Sequence, residues 1–220
     1  EADDLIAGWV QAHPNDNHVI ISTDGDFAQL ISPNVKQYNG IQNTIITHEG
    51  YFDDKKLEPV IDKKTKEPKA APDPSFMLFE KCMRGDTSDN IFSAFPGARK
   101  KGSKNKTGML EAFADMERGG FDFNNFMLQR WVDHNEEEHR VRDDYERNRT
   151  LIDLTAQPTK LRDATDNSIK EALESNKEIP QVGVHFMRFC GKYELNRISD
   201  QADSYAKWLN TPYQGRYIHA

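Results

Sequence analysis

The order of apolar and polar residues predicts an α/β segment at the start of the chain. Residues 1–10 place apolar side chains on one face of a helix and acids in its first turn, and residues 18–22 form an apolar run of strand length. A turn rich in Asp and Gly follows that strand, and residues 27–30 predict a short helix. Two further short strands are predicted at residues 35–38 and 44–47.

The pattern becomes helical after residues 62–74, a segment rich in Lys, Pro and Ala that has no periodicity and predicts a mobile loop. The predicted helices run from Ser75 towards Asp86 and over residues 107–118, 121–152 (with one break), 166–176, 182–193 and 199–209. We therefore predict an α/β fold class. Residues 1–58 would form part of a core with a parallel sheet, and residues 74–220 a mostly helical portion packed closely against it.

Composition narrows the class of protein. The chain has 220 residues, of which 36% are hydrophobic and 30% charged, so it can bury a sizeable core. No apolar run approaches the about 18 residues of a membrane-spanning helix. Cys82 and Cys190 each lie in an apolar helical pattern. Buried thiols therefore fit better than a disulfide, and two cysteines cannot build a zinc cluster.

Charge is spread unevenly along the chain. The formal net charge is -7, but residues 99–106 carry five cations in eight positions. Local charge decides where a phosphate binds, so the negative total does not exclude a nucleic-acid ligand. A solvated basic loop remains the plain alternative for this segment.

Acidic residues gather in three places: at a helix start, at a strand end and at a turn between helices. These clusters are Glu1 with Asp3 and Asp4, Asp24 with Asp26, and Asp86 with Asp89. The strand end is the most informative, because ligands collect at the carboxyl ends of strands in α/β sheets. Residues two apart on an extended segment also point the same way. Paired carboxylates suit hard divalent cations such as Mg²⁺ or Mn²⁺.

Each cluster also has an ordinary structural interpretation. Acids in the first turn of a helix complement its dipole. Asp26 would be the N-cap of the short helix after the strand. The turn at Asp86 and Asp89 would be simple turn chemistry.

Three segments in order, residues 1–4, 22–27 and 84–91, resemble motifs of the 5′-nucleases. That family includes flap endonucleases, the 5′-nuclease domains of bacterial DNA polymerase I and phage 5′-to-3′ exonucleases. The sequence is most similar to its T-even phage ribonuclease H members, because residues 148–154 and the helical tail also match. The resemblance covers nearly the whole chain and implies a PIN-like core.

The resemblance implies two metal ions, Mg²⁺ with Mn²⁺ as the alternative. Asp3 and Asp24 correspond to ligands of the first ion, with Glu1 and Asp4 nearby. Asp26 and Asp89 correspond to ligands of the second, with Asp86 in its shell.

The resemblance also implies a helix-three-turn-helix motif that grips duplex DNA within residues 85–119. Its DNA-binding residues would be Arg99, Lys100, Lys101, Lys104, Lys106 and Thr107. The backbone amides of this turn and the N-terminus of the next helix would contact phosphate. Related turns carry closely spaced glycines and bind K⁺. Residues 99–102 depart from that glycine pattern, so we do not count K⁺ among the expected cofactors.

The implied function is a metal-dependent 5′-to-3′ exonuclease or flap endonuclease that hydrolyses RNA primers or 5′ flaps in DNA replication. The family's first strand and helical arch have no counterpart before Glu1, so we expect this chain to be the carboxyl-terminal part of such an enzyme. An alternative is a catalytically incomplete duplex-DNA-binding module. A ribonuclease of the PIN-like fold is a third option.

The expected partners are DNA with a 5′ flap or an RNA–DNA duplex, and no membrane. Residues 210–220 are a candidate contact for a single-strand-binding protein or a sliding clamp. We expect a monomer in the cytoplasm of a phage host.

Overall fold

The structure is a computed structural model that describes residues 2–104, 106–174 and 181–209. Contacts within the chain divide it into two compact units, Glu1–Asp166 and Asn167–Ala220. Each unit is described by itself below. The predicted division into an α/β part at residues 1–58 and a helical part at residues 74–220 stays a prediction.

A four-stranded sheet forms in the first unit, with the strands in sequence order. The strands are β1 (His18–Ile21), β2 (Val35–Asn39), β3 (Thr44–Thr47) and β4 (Gly50–Asp53). β1 and β2 run parallel, with His18 opposite Val35, whereas β2–β3 and β3–β4 are antiparallel.

The three predicted strands are confirmed, but the prediction of a parallel sheet is wrong beyond its first pair. Only the connection from β1 to β2 is long enough, with a 3₁₀ helix at Gly25–Leu30, to return the chain in the same direction. The turns that follow β2 and β3 are short, and a short turn can join antiparallel strands only. The sheet is therefore mixed, and sequence reasoning missed β4.

Helix α1 (Ala2–Ala12) and the 3₁₀ helix contribute to a small apolar cluster with the sheet. The 3₁₀ helix lies where residues 27–30 predicted a short helix. Apolar side chains from α1, β1, the 3₁₀ helix and β2 fill this cluster, and Leu154 joins them from a distant part of the chain. Its buried members are Ala7, Ile20, Phe27, Leu30, Val35 and Leu154.

The larger core lies among the helices of the first unit. These are α2 (Pro74–Arg84), α3 (Met109–Met116), α4 (Phe121–Met127) and α5 (Val141–Ile152). Helix α6 (Thr159–Glu174) includes residues of both units. Asp73 begins α2 by accepting the N–H of Phe76 at 2.9 Å, and Pro74 occupies the first helical position, where its missing N–H costs nothing. The largest fully buried apolar side chains of this core are Phe79, Met83, Met109, Met127 and Val141.

The long helix predicted over residues 121–152 is wrong. A two-stranded hairpin, β5 (Arg130–Val132) with β6 (Glu138–Arg140), separates α4 from α5. The Asp133 carboxylate accepts the N–H groups of Asn135 and Glu137, both at 2.9 Å, and these bonds hold the reversing turn. Charged residues that suited the exposed face of a helix are therefore exposed on a hairpin.

Residues 59–69 are drawn back towards the sheet by short bridges. Phe52 pairs with Pro59 and Ile61 with Pro68, and the ammonium of Lys69 lies 3.5 Å from the centre of the Tyr51 ring. Mobility of residues 62–74 stays a prediction.

The second unit contains α7 (Val182–Lys192), α8 (Asn196–Ser199) and α9 (Ala202–Leu209). The helix predicted over residues 199–209 instead begins at Ala202. Cys190 is buried on α7 and Cys82 on α2, both as free thiols, which confirms that prediction. Within the described parts of the chain, no helix is long and apolar enough to cross a membrane.

Candidate functional site

The end of β1 is shaped by polar contacts that fix Asp24. Its side chain accepts the N–H of Asp26 at 2.9 Å, which makes Asp24 the N-cap of the 3₁₀ helix. The alternative that placed Asp26 at the cap is therefore wrong. The buried amide of Gln37 on β2 donates to the carbonyls of Ser22, at 3.0 Å, and Asp24, at 2.6 Å. The end of β1 is thus held by the contact of Asp24 with the 3₁₀ helix and by the contacts of Gln37 from β2.

Asp86 and Asp89 lie on a closed loop that follows α2. Gly85 ends the helix with φ +73°, and a Cβ there would lie 2.3 Å from the carbonyl oxygen of Ile91. Asp86 and Ile91 exchange two backbone hydrogen bonds, of 2.8 and 2.7 Å. The chain leaves the helix and closes on itself within six residues, and glycine at position 85 is required by both its φ and the close approach.

Asn148 supports this loop from α5. Its side chain is fully buried, and its amide donates to the carbonyls of Cys82, at 2.9 Å, and Phe92, at 2.7 Å. The two carbonyls belong to the last turn of α2 and to the residue that follows the loop. No chemical signal in the sequence marked this role for Asn148.

The carboxylates of Asp26, Asp86 and Asp89 come together in front of these supports. Each offers an oxygen, and the three oxygens lie within 4.8 Å of one another. Asp89 is exposed, and the other two side chains are less than 20% exposed. Three oxygen donors at this separation form a donor set that suits a hard divalent cation. The metal roles predicted for these residues remain proposals.

Lys81 is the residue of this site that sequence reasoning missed. Its ammonium hydrogen-bonds Asp26 and lies 2.6 Å from Asp86 Oδ2. Burial alone would lower the pKa of Lys81, but the hydrogen bonds that Lys81 donates to Asp26 and Asp86 outweigh it and raise that pKa. The bond from Lys81, with further bonds from Ser88, holds the pKa of Asp86 far below its usual range. The only signal was a basic residue inside an apolar stretch of α2.

The predicted ligands of a first metal ion are not gathered in the same way. Asp3 and Asp4 lie in the first turn of α1, where Asp4 Oδ1 accepts a hydrogen bond from Gln157 at 2.5 Å. Neither they nor Asp24 belong to the carboxylate cluster found among the described residues. Glu1 lies outside the described residues. The first-ion roles therefore stay predictions.

In the described part of residues 99–108, the amide groups of Gly102 and Gly108 already have a partner. Glu111 Oε2, on α3, accepts the N–H of Gly102 at 2.9 Å and that of Gly108 at 3.0 Å. Bonds from its own N–H and from Gly102 lower the pKa of Glu111. A phosphate approaching these amides would compete with a carboxylate. Direct contact between the α3 N-terminus and phosphate, and the helix-three-turn-helix motif itself, stay predictions.

The predicted basic residues differ in how free they are. Lys100 Nζ lies 3.1 Å from Glu80 Oε2 and 5.2 Å from the centre of the Phe76 ring. Glu80 also accepts from Arg84 Nε at 3.0 Å. Thr107 donates to Asp122 at 3.3 Å. The other predicted contacts, Arg99, Lys101, Lys104 and Lys106, are exposed to solvent.

A cavity of about 290 Å³ adjoins the carboxylates, between the 3₁₀ helix and α2. Its lining includes Asp26, Met77, Lys81 and Arg84. The ammonium of Lys81 therefore has open space beside it as well as carboxylates in front of it.

Comparison with known proteins places the chain near nucleic-acid enzymes, although no family model matches it. It is 32% identical over 119 residues to a DNA polymerase I of Rhizobium leguminosarum, a match that covers 53% of this chain and 10% of that protein. A bacterial DNA polymerase I belongs to the group of proteins to which the three acidic segments pointed. The resemblance to the 5′-nucleases is confirmed at that level. The finer likeness to T-even phage ribonuclease H stays a prediction.

Two solved structures that the comparison matched to this chain are bacteriophage T5 proteins. A 5′-exonuclease variant has a TM-score of 0.46 at 19% identity, covering 78% of this chain and 65% of that one. A flap endonuclease in a pseudo-enzyme-product complex with DNA and metal ions has a TM-score of 0.46 at 20% identity, covering 78% and 59%. This chain thus spans about a tenth of its curated relative and about three-fifths of these structures.

Proposed function

We propose that this chain forms part of a metal-dependent 5′-nuclease that hydrolyses phosphodiester bonds in nucleic acids. The observation that carries the proposal is the meeting of the Asp26, Asp86 and Asp89 carboxylates within 4.8 Å. Such a donor set, beside a loop with several exposed cations, combines what metal-assisted attack on a phosphate ester requires.

Bound divalent ions, Mg²⁺ or Mn²⁺, would supply an activated water and stabilise the leaving oxygen. On the protein side, Asp26 and Asp89 would bind one ion directly while Asp86 orients its surroundings. Asp3 and Asp24, supported by Glu1 and Asp4, are proposed for the other ion. No side-chain nucleophile is needed for this chemistry.

The proposed substrate is DNA with a 5′ flap, or the RNA primer of an RNA–DNA duplex. Arg99, Lys101, Lys104 and Lys106 are exposed and would neutralise backbone phosphates. Lys100 would take part after leaving Glu80, and Thr107 after leaving Asp122. A replication partner at residues 210–220 stays part of the proposal, although these residues lie outside the described ones.

Asp89→Asn tests the metal role, with Asp143→Asn as a matched control. Asp143 is also an exposed carboxylate and does not belong to the cluster. In the complete protein with Mg²⁺, we expect Asp89→Asn to lower cleavage of a 5′-flap substrate by orders of magnitude. Duplex affinity, measured by fluorescence anisotropy in Ca²⁺, should change little or tighten as repulsion of phosphate falls.

Three results would contradict this proposal. Equal loss of cleavage and binding in Asp89→Asn would make Asp89 a folding residue. Equal loss of cleavage in Asp143→Asn would remove the specificity of the effect. Absence of cleavage by the complete wild-type protein at enzyme excess would refute the enzymatic function.

The second candidate function is duplex binding without catalysis. It is favoured by the position of Asp3, Asp4 and Asp24 outside the carboxylate cluster of the described residues. Under this alternative the complete protein would bind flap DNA with the same affinity in Mg²⁺ and in Ca²⁺ and leave it uncut in both.

A further inference from the structure

The carboxylate cluster is already partly neutralised by the protein itself. Lys81 bonds Asp26 and Asp86 at the same time, and these are two of the three carboxylates of the cluster. The side chain of Lys81 is 25% exposed, and those of Asp26 and Asp86 are 19% and 17% exposed. All three groups are therefore partly shielded from water. Charges in such a shielded place act on one another more strongly than in bulk solvent.

An ammonium and a divalent cation compete for such oxygens. Both need carboxylate lone pairs, and two cations held against the same oxygens repel each other. Asp89 has no bond to Lys81 among the described contacts, so its carboxylate can meet an incoming ion without competition from that ammonium.

We propose that Lys81 is an internal counter-ion of this cluster, which a divalent metal ion must displace in order to bind. The proposal rests on the proposed metal role of the cluster and adds a second part to it. Lys81 keeps the carboxylates together when no ion is bound. It also weakens metal binding, because its bonds to Asp26 and Asp86 must break before the ion can bind.

The structure offers the displaced side chain a place to go. The cavity of about 290 Å³ beside the cluster is lined by Lys81 itself and by Met77. A flexible Lys stem can lie along Met77 while its ammonium reaches solvent. Once displaced, the ammonium would still lie near the carboxylates, where it could bind a substrate phosphate.

Coupling between metal and nucleic acid follows from this exchange. A substrate phosphate stabilises the displaced ammonium, so it favours metal binding, and by linkage the metal must favour the phosphate equally. Lys81 would thereby make the two ligands bind cooperatively, as a positioning residue that acts through the carboxylates.

Mn²⁺ binding measured by electron paramagnetic resonance tests the proposal without using cleavage. In the complete protein, Lys81→Met should tighten Mn²⁺ affinity about tenfold, because a neutral side chain no longer competes for the oxygens. Lys81→Gln should do the same while keeping a hydrogen-bond donor. Lys81→Arg keeps the charge and should stay close to wild type.

Arg84→Met is the matched control. It removes one positive charge from the same end of α2, but Arg84 bonds Glu80 and not the cluster. We expect its Mn²⁺ affinity to stay within about twofold of wild type, since a screened charge outside the contact acts weakly. Equal tightening in Arg84→Met would replace displacement by a general charge effect and overturn the proposal.

Other outcomes separate this inference from the proposed function. Unchanged or weaker Mn²⁺ binding in both neutral variants, with flap cleavage retained by wild type, would overturn the role of Lys81 alone. Absence of Mn²⁺ binding in every variant, together with absence of cleavage, would overturn both. If circular dichroism shows that Lys81→Met does not fold, the Mn²⁺ affinities of Lys81→Gln and Lys81→Arg decide whether the charge of Lys81 weakens metal binding.

Discussion

At the scale of single residues, the candidate site is a set of charges held by named partners. Asp86 accepts hydrogen bonds from Lys81 and from Ser88, whose N–H lies 2.9 Å from Asp86 Oδ1. These contacts favour the ionised carboxylate, which is why its pKa lies so low. The charge of Asp86 is therefore part of the stability of the fold as well as of the proposed chemistry.

The pH dependence of stability should reveal this ion pair. A carboxyl with a lowered pKa stabilises the folded state above its unfolded pKa of about 3.9, and that contribution is lost as the pH falls through the folded value. We expect Asp86→Asn to lower the melting temperature near neutral pH. The difference from wild type should shrink as the pH drops below about 4, because the unfolded wild-type chain then takes up a proton at Asp86 that the folded state still excludes.

Thermal melts followed by circular dichroism between neutral and acid pH would measure this difference. Asp143→Asn serves as the control. The Asp143 side chain is 61% exposed, and its ion pair with Arg140 is long, at 3.8 Å. A difference between Asp86→Asn and wild type that stays constant across pH would show that the amide disturbs packing and that the charge is unimportant.

Residue types alone predicted part of this site. Asp26, Asp86 and Asp89 stood out as acids at a strand end and a turn, and the structure brings these three together. Lys81 could not be predicted because its partner Asp26 lies 55 positions away in sequence. Periodicity describes neighbours on one element and says nothing about which distant side chain fills a gap between two carboxylates.

At the scale of elements, α5 connects the helices to the loop that carries Asp86 and Asp89. The connection includes a buried amide, because Asn148 donates to carbonyls on either side of that loop. The last turn of a helix leaves carbonyls without a partner in the helix, and the Cys82 carbonyl finds one here. The two bonds from Asn148 therefore help to fix the position of the loop against α5.

Asn148→Ala should leave two inward-facing carbonyls without donors. Each unsatisfied buried group costs about 1 to 3 kcal/mol, so we expect a loss of stability on the order of 3 kcal/mol in urea unfolding. Asn148→Asp should be at least as damaging, since it turns a carboxylate towards the two carbonyls. Thr150→Ala is the control on the same helix, because the exposed hydroxyl of Thr150 bonds only Glu146 within α5.

A loss of less than about 0.5 kcal/mol in Asn148→Ala, the size expected of an ordinary surface change, would contradict this account. The Mn²⁺ affinity of Asn148→Ala is a second, independent measurement, which reports whether the loop keeps its position. We expect weaker binding, because the carboxylates of Asp86 and Asp89 would no longer be held.

Element prediction succeeded where apolar spacing was unambiguous and failed where polar turn chemistry decided. Strands β1, β2 and β3 matched because their apolar runs are bounded by turn residues. Residues 121–152 failed because charged residues suit an exposed helix and an exposed hairpin equally well. Two backbone hydrogen bonds to Asp133 settled the outcome there, and a pattern of hydrophobicity does not report them.

At the scale of the whole molecule, a net charge of -7 coexists with a basic segment that is proposed to bind DNA. Screening in physiological salt reduces the reach of distant acids to about 8 Å, so local cations can still bind phosphate. Lys100 of this segment is already paired with Glu80. The cations Arg99, Lys101, Lys104 and Lys106 are exposed to solvent.

The salt dependence of duplex binding should reflect this division. Each phosphate contact contributes about 0.9 to the slope of log affinity against log salt concentration. Lys101→Ala should therefore flatten the slope by about 0.9, and Lys100→Ala by less, because Lys100 gives up an ion pair when it binds. The weakening should be similar for unrelated sequences, since phosphates carry no base information.

Binding titrations across KCl concentrations would measure these slopes in the complete protein. Lys69→Ala is the control, because Lys69 lies over the Tyr51 ring in a different part of the first unit. An unchanged slope in Lys101→Ala would make residues 99–106 a solvated loop, and the path of the DNA would have to lie elsewhere.

The loop from Asp86 to Ile91 can be regarded as a macrocycle. Its two backbone hydrogen bonds close a ring before any ion arrives, so the ring conformation costs no further entropy when a cation binds. A linear peptide with the sequence of residues 84–92 carries the same acids at the same spacing, but it would have to close the ring at the moment of binding. The closed loop would therefore bind a cation more tightly than the linear peptide. The spacing of two aspartates in a sequence is not sufficient to form a chelating site.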